Sequence, residues 1–262
     1  MPTDLFIIAA GKGSRMGGTL PKALVPINDN EPNITTTLKQ TSGKFNHTYI
    51  VVNELIMDAW KKYIEENVAS GLLDKVSFVS IASGLGDGHA VLSALGITAS
   101  TAADEVVILW GDTFLQHSET IDEMLGKNLS VMSASGLIPA VMEQDPYVTL
   151  LVDNALKVVS ADFSKYGEKH PSGWHDQSIF YFKREPLFSA LLLLHAALWK
   201  NGRYMTPGGE MSMLFAFHYL YNTDEGAVVY ETDYPTLSFN TPEEVASIQK
   251  EISEKWKTRQ SS

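Results

Sequence analysis

The chain has 262 residues, 44% of them hydrophobic and 19% charged, with a formal charge of −11. That length and composition suit a globular protein with a self-sufficient core and exclude a disordered chain. The absence of cysteine excludes disulfides, thiolate zinc sites and cysteine nucleophiles, and the acidic balance argues against a nucleic-acid surface while leaving room for a nucleotide ligand.

In chain order, Leu5 to Ala10 is a continuous apolar run ending in glycines, as a buried parallel strand should be. A glycine-rich loop, Gly11 to Gly18, leads to Pro21-Lys22. His47 to Asn53 reads as a second strand and Leu55 to Asn67 as a helix. Val76 to Ile81 is a third strand, followed by a helix over Ala90 to Ile97. Glu105 to Trp110 is a fourth, fully buried strand that stops at Gly111-Asp112. Strands alternating with helices predict an α/β fold with a doubly wound, mostly parallel, Rossmann-like sheet.

The second half differs. Tyr147 to Val152 and Ala155 to Val159 flank the polar break Asp153-Asn154, a hairpin pattern, and Ser178 to Phe182 is a further strand. Helices are expected over Leu187 to Trp199 and Met211 to Tyr221, and a strand over Ala227 to Glu231. A last helix begins at Pro242 with Thr241 as its N-cap. The expectation is one compact unit: residues 1–140 the main sheet, 141–240 a β-rich substrate lobe laid over it, and 241–262 a terminal helix. Met1 to Asp4 carries no basic leader, and Leu187 to Trp199 falls short of the ~20 apolar residues of a bilayer span. No membrane or nucleic-acid partner is expected. The cysteine-free composition fits a reducing cytoplasm, and the sequence leaves homo-oligomerisation open.

Three segments carry chemistry. In the first, Ala9-Ala10-Gly11-Lys12-Gly13-Ser14-Arg15, a strand runs into glycines whose N–H groups can point at phosphate without Cβ interference. It is neither a Walker loop nor a Rossmann fingerprint. Arg15 within it and Lys22 beyond it add a planar fork and a compact charge, which suits a triphosphate; the alternative is a turn with solvated charges. In the second, Gly84-Leu85-Gly86-Asp87-Gly88-His89, three glycines before a helix mark a close backbone approach to something flat or charged. His89 is more often structural than a base in such a setting. In the third, Asp112 follows a buried strand, where open α/β sheets bind ligands and a hard cation would find an oxygen.

Read together as AAGKGSRMGGTLPKAL, GLGDGHAV and LWGDT, these segments resemble the nucleotidylyltransferases that activate sugar phosphates, in particular the N-acetylglucosamine-1-phosphate uridylyltransferase and glucose-1-phosphate nucleotidylyltransferase catalytic domains. The resemblance implies transfer of a nucleoside monophosphate from an NTP to a sugar 1-phosphate, giving an NDP-sugar and pyrophosphate with Mg²⁺. It implies Arg15 and Lys22 as catalytic charges, and Ala9, Ala10, Gly11, Gly13, Ser14, Arg15, Gly86, Asp87 and Gly88 as nucleotide contacts. It further implies Asp112 and Asn240 as metal ligands, and Lys169 and Glu210 as acceptor contacts, with the phosphorylated small molecule and the NTP as partners. No hexapeptide-repeat segment follows, so a single reaction is expected. Where the uridylyl enzymes carry a base-reading glutamine, this chain has Val79 to Ser83. Asp87 then either accepts from an exocyclic amine of the base or caps the helix. A cytidylyltransferase acting on an alcohol phosphate or phosphonate is the neighbouring alternative. A glycosyltransferase is disfavoured by Gly111-Asp112-Thr113-Phe114, which lacks an Asp-x-Asp, and a catalytically silent nucleotide-binding regulator by the presence of Arg15, Lys22 and Asp112.

Overall fold

The computed structural model describes residues 2–11, 21–28, 31–82, 84–101 and 103–260. Of the predicted site, Gly13, Ser14 and Arg15 lie outside these residues.

The apolar runs of the first half form four parallel strands: β1 (Thr3–Ile8), β2 (Thr48–Asn53), β3 (Val76–Ile81) and β4 (Glu105–Trp110). They lie in the order β4-β1-β2-β3. Successive side chains of β1 point to opposite faces, so Phe6 and Ile8 join one core while Leu5 and Ile7 join another. Helices cover both faces. Ile34 and Leu38 of α1 (Asn33–Thr41), Trp60 and Ile64 of α2 (Met57–Asn67), and Ile121 and Met124 of α4 (Glu119–Gly126) pack on the Leu5 side. On the Phe6 side lie Val91 and Leu95 of α3 (Asp87–Ile97) and Leu191 and Leu194 of α5 (Arg184–Leu198). This is the doubly wound arrangement predicted.

The half expected to bind the acceptor is not laid over the sheet; it continues it. Strands β5 (Gly136–Gln144), β6 (Val148–Val152), β7 (Val158–Phe163), β8 (Ser172–Asp176) and β9 (Ile179–Lys183) extend the same sheet in the order β7-β6-β8-β5-β9-β4, all with antiparallel pairing. The tenth strand, β10 (Ala227–Glu231), pairs parallel with β5. Edge-to-edge joining satisfies the ladder groups of β4 and β9 directly, a simpler solution than burying a separate sheet. The nine-residue β5 and the polar β8 go beyond the sequence-based expectation, and the helix expected from Met211 divides into a 3₁₀ turn at Met213–Ala216 and the short α6 (Phe217–Tyr221). The final helix, α7 (Pro242–Gln260), packs Val245 and Ile248 against Ile27, Phe114 and Phe239. None of the described helices is long and apolar enough to cross a membrane.

Candidate active site

The strand order reverses between β1 and β4, and the carboxyl ends of these neighbours open a crevice there. Ile8 and Trp110 are register partners at its edge. Gly111 N–H donates to the Ile8 carbonyl at 2.9 Å, and a Cβ on Gly111 would stand 3.0 Å from that oxygen, so glycine permits the approach of the two strand ends. A cleft of about 440 Å³ lies above them. Ala10, Gly11, Lys22 and Asp112 line it from the strand ends, and Gly86, Asp87 and Glu210 from the other side. Ile81, Leu85 and Trp110 supply apolar wall, a mixture suited to an organic ligand with a charged end. Ala9 is buried and lines a smaller adjoining recess with Gly11, Lys22 and Asp112.

Three long-range contacts set the charged end. Lys22 opens a 3₁₀ turn, Lys22–Leu24, anchored by buried Ala23 and Leu24. Its Nζ donates to Asp112 Oδ2 at 2.7 Å and to Asn240 Oδ1 at 2.7 Å. Asp112 is fixed from behind: Asn33, almost fully buried at the start of α1, donates from Nδ2 to the Gly111 carbonyl at 3.1 Å and to the Thr113 carbonyl at 2.8 Å. Asn240 arrives through a short antiparallel pairing of Leu237–Ser238 with Thr113–Phe114, and through the Phe239 N–H, which donates to the Asp112 carbonyl at 3.2 Å. Glu244 accepts from the backbone N–H groups of Asn240 and Thr241, while Glu244 N–H donates to Thr241 Oγ1 at 3.3 Å. This reciprocal capping box holds Asn240 at the helix entrance. No contact of Asn33 is apparent from its local sequence.

The opposite wall differs from the expectation. Helix α3 begins at Asp87, with Gly86 at φ 93° ahead of it. Gly86 and Gly88 do make close backbone approaches, but to protein. A Cβ on Gly86 would lie 2.4 Å from the Met211 carbonyl oxygen, and one on Gly88 2.7 Å from Met213 N. Gly88 is buried there and does not line the cleft. Gly88 N–H donates to the Met211 carbonyl at 2.8 Å, and Met211 N–H to the Leu85 carbonyl at 2.9 Å. Asp87 Oδ1 accepts from Met213 N–H at 2.6 Å and from the Ser212 hydroxyl at 3.2 Å. Burial pushes the Asp87 carboxyl up to about 6, opposed by these two donors and by the positive charge of Lys165.

His89 sits behind this wall. Its Nδ1 is 2.7 Å from the Tyr204 hydroxyl, which also lies 2.8 Å from His195 Nδ1, with Trp199 stacked on both imidazoles. Burial, then the neighbouring His195, lowers the His89 pKa, and burial pushes the Tyr204 phenol up to about 12. His89 is thus a tie between α3 and the segment after α5. Of the acceptor pair, Glu210 lines the cleft, whereas Lys169 is exposed and does not. The basic side chain electrostatically linked to the cleft wall from this half is Lys165, lodged over the rings of Tyr166 at 4.8 Å and Phe163 at 5.2 Å. His170 and His175 are taken up separately by Asp162 and Glu143, and among the described residues no cluster of three or more His, Asp or Glu could hold a metal.

A crevice at a strand-order reversal, with a strand-end carboxylate, a lysine facing it and Gly11 beside it, is the arrangement of a nucleotidyltransferase. Residues 5–170 match the MobA-like NTP transferase domain, and the chain belongs to that family. Among curated proteins, the bifunctional protein GlmU of Azotobacter vinelandii is 32% identical over 129 residues, covering 48% of this chain and 26% of that protein. GlmU of Desulfotalea psychrophila is 31% identical over 195 residues, covering 72% of this chain and 54% of that one. The chain therefore spans about a quarter to a half of the length of these relatives. The crystal structure of HddC from Yersinia pseudotuberculosis complexed with GMP-PN superposes with a TM-score of 0.65 at 17% identity, covering 95% of this chain and 99% of that one, which establishes a shared fold.

Proposed function

We propose that this chain couples an NTP to a sugar 1-phosphate, forming an NDP-sugar and releasing pyrophosphate. The observation that carries the reading is the convergence of Lys22, Asp112 and Asn240 from three distant parts of the chain, with Lys22 and Asp112 lining the cleft beside Gly11. An oxygen of the acceptor phosphate attacks the α-phosphorus. The new P–O bond forms as the bond from that phosphorus to the bridging oxygen breaks, and pyrophosphate carries away the electron pair. No protein nucleophile is needed; the work is positioning and charge stabilisation.

Lys22 is placed to offset negative charge on the reacting phosphate, with Arg15 assigned the same task on the triphosphate by the sequence. Ala10, Gly11 and the turn at Gly86 form the nucleotide side, and Glu210 offers a carboxylate to hydroxyl groups of the acceptor. The oxygens of Asp112 and Asn240 already share one cationic partner, and a carboxylate with an amide carbonyl is a donor set that suits Mg²⁺, which keeps most of its waters. When bound there, the metal would neutralise charge on the phosphates. Lys165, whose charge acts on the Asp87 carboxyl of the cleft wall, is a second candidate beside Lys169 for the acceptor's phosphate.

The test is a matrix of UTP, dTTP, CTP, GTP and ATP against sugar 1-phosphates, with phosphocholine and an aminoalkyl phosphonate as non-sugar arms, scored by pyrophosphate release. Acceptor-dependent pyrophosphate with a sugar 1-phosphate is expected. Release only with a non-sugar phosphate or phosphonate, or none at all, overturns the sugar reading.

A further inference from the structure

Residues 204–213 cross from the end of the Arg203–Tyr204 strand to the 3₁₀ turn at Met213, and helix α3 holds this strap at both ends. At one end the buried Tyr204 hydroxyl meets His89 at 2.7 Å. At the other, Met213 N–H and the Ser212 hydroxyl both donate to Asp87. Two backbone hydrogen bonds, Gly88 to Met211 and Met211 to Leu85, complete the seam, and the absence of a side chain at Gly86 and Gly88 is what allows it to close. Between the anchors the strap folds on itself. Thr206 Oγ1 donates to the Glu210 carbonyl at 2.7 Å, and Gly209, at φ 71°, donates from N–H to the Thr206 carbonyl at 3.0 Å. Glu210, exposed and immediately before the anchored Met211, is the strap residue that lines the cleft.

We propose that Asp87 is a positioning residue that locks the 204–213 strap onto the nucleotide-side turn and thereby sets Glu210 against the acceptor, and that it is not itself a reader of the base. This rests on the acceptor-coupling reading for its catalytic consequence, but the lock is a property of the chain alone. Among the described residues, the Asp87 carboxylate is the side chain that accepts from the Met213 amide, and no backbone carbonyl does so. Its loss leaves that donor unmatched and frees the Glu210 end of the strap, while the Gly11 loop and the floor at Asp112 are untouched.

The test uses the full chain with Asp87→Ala, Asp87→Asn and Ser212→Ala. Without any substrate, amide exchange at Met213 should quicken by about tenfold or more in Asp87→Ala. It should stay near the wild-type rate in Asp87→Asn, whose amide oxygen still accepts from Met213. In turnover, Asp87→Ala should raise the acceptor KM by about tenfold while moving the nucleotide KM by less than about twofold, with Asp87→Asn restoring most of the loss. Ser212→Ala, which removes one donor without adding a cavity at α3, should shift both readouts the same way by less, and serves if Asp87→Ala does not fold. Unchanged exchange at Met213 overturns the lock. A nucleotide KM that rises with a changed base preference, at constant acceptor KM, also overturns it and makes Asp87 a base contact. A wild-type chain that transfers to no acceptor fails the functional reading instead, and the exchange measurement still decides the lock.

Discussion

Lys22 and Asp112, 90 positions apart, meet as an ion pair at 2.7 Å, and both side chains keep an edge toward the cleft. The pair joins the segment after the glycine loop to the end of the fourth strand, and Asn240 closes it from the far end of the chain. A partly exposed pair of this kind adds little to stability. In the proposed function it holds charge where phosphates arrive.

Replacing Asp112 should therefore cost function and not fold. Asp112→Ala is expected to abolish pyrophosphate release with a near-native melting curve. Wild-type activity should disappear with EDTA and return with Mg²⁺. Full activity in metal-free buffer would remove any role for a cation on Asp112.

Lys22→Ala should lower kcat/KM by ~100-fold or more, the scale of deleting one preorganised charge-stabilising donor. Arg15→Ala, on the sequence reading, should do the same. Lys22→Arg should recover little, because a planar fork does not replace a compact ammonium between two oxygens. Turnover of Lys22→Ala at the wild-type rate would separate the ion pair from catalysis.

Asn33 acts at one remove from the chemistry. Asn33→Ala strips both carbonyl partners from the turn bearing Asp112 and should destabilise by ~1–3 kcal/mol. It should lower kcat more than it raises either KM. A melting temperature and kcat both equal to wild type would show that Asp112 is fixed by its strand alone.

The glycines of α3 and α4 provide a paired test of the seam. Gly88→Ala drives a Cβ to 2.7 Å from the backbone of Ser212 and Met213, whereas Gly126→Ala meets nothing within 4 Å. Overpacking against backbone should cost Gly88→Ala ~1–3 kcal/mol, and Gly126→Ala should be near neutral. Equal stability of the two variants would mean that the strap gives way freely.

Asp87 also makes a pH prediction. Its folded-state pKa of about 6 lies above the ordinary 3.8, so the proton is bound more tightly in the folded chain. The corresponding stability is complete below about pH 3.8 and is lost as pH rises through about 6. The charges and donors facing the group are Lys165, the Met213 N–H and the Ser212 hydroxyl. His89 titrates nearby with the opposite sign, since its lowered pKa gives stability that is lost as pH falls below its ordinary 6.5. Comparison with Asp87→Asn isolates the aspartate: between pH 4 and 7, wild type should lose stability relative to the variant. Parallel stability curves would show that Asp87 carries no such shift.

Much of this was legible in the sequence, for identifiable reasons. Strands β1, β2 and β4 are buried on both faces and carry apolar runs, with Asp112 marking where the last one ends, whereas the edge strand β3, with Ser77 and Ser80, is only partly buried. Strand β5 was not legible because Pro139 and Gly136 interrupt its pattern, and its stability comes from partners far along the chain, β8, β9 and β10. Helix α1 was hidden by Thr35, Thr36 and Thr37, β-branched residues of weak helix propensity that are buried here by tertiary contact. The glycines at 86 and 88 correctly signalled a close approach. What approaches them is the backbone of residues 211–213, which no local pattern identifies. Lys165 and Lys169 are alike as sequence, and the rings of Phe163 and Tyr166 distinguish them.

The central claim is that the α-phosphorus of the NTP moves to a sugar phosphate. Its most direct test follows NTP labelled at the α-phosphate, incubated with enzyme, Mg²⁺ and a sugar 1-phosphate. The label should appear in an NDP-sugar, matched mole for mole by unlabelled pyrophosphate, and both should be absent from Asp112→Ala. Label recovered only as nucleoside monophosphate, or in product formed without pyrophosphate, would contradict the account.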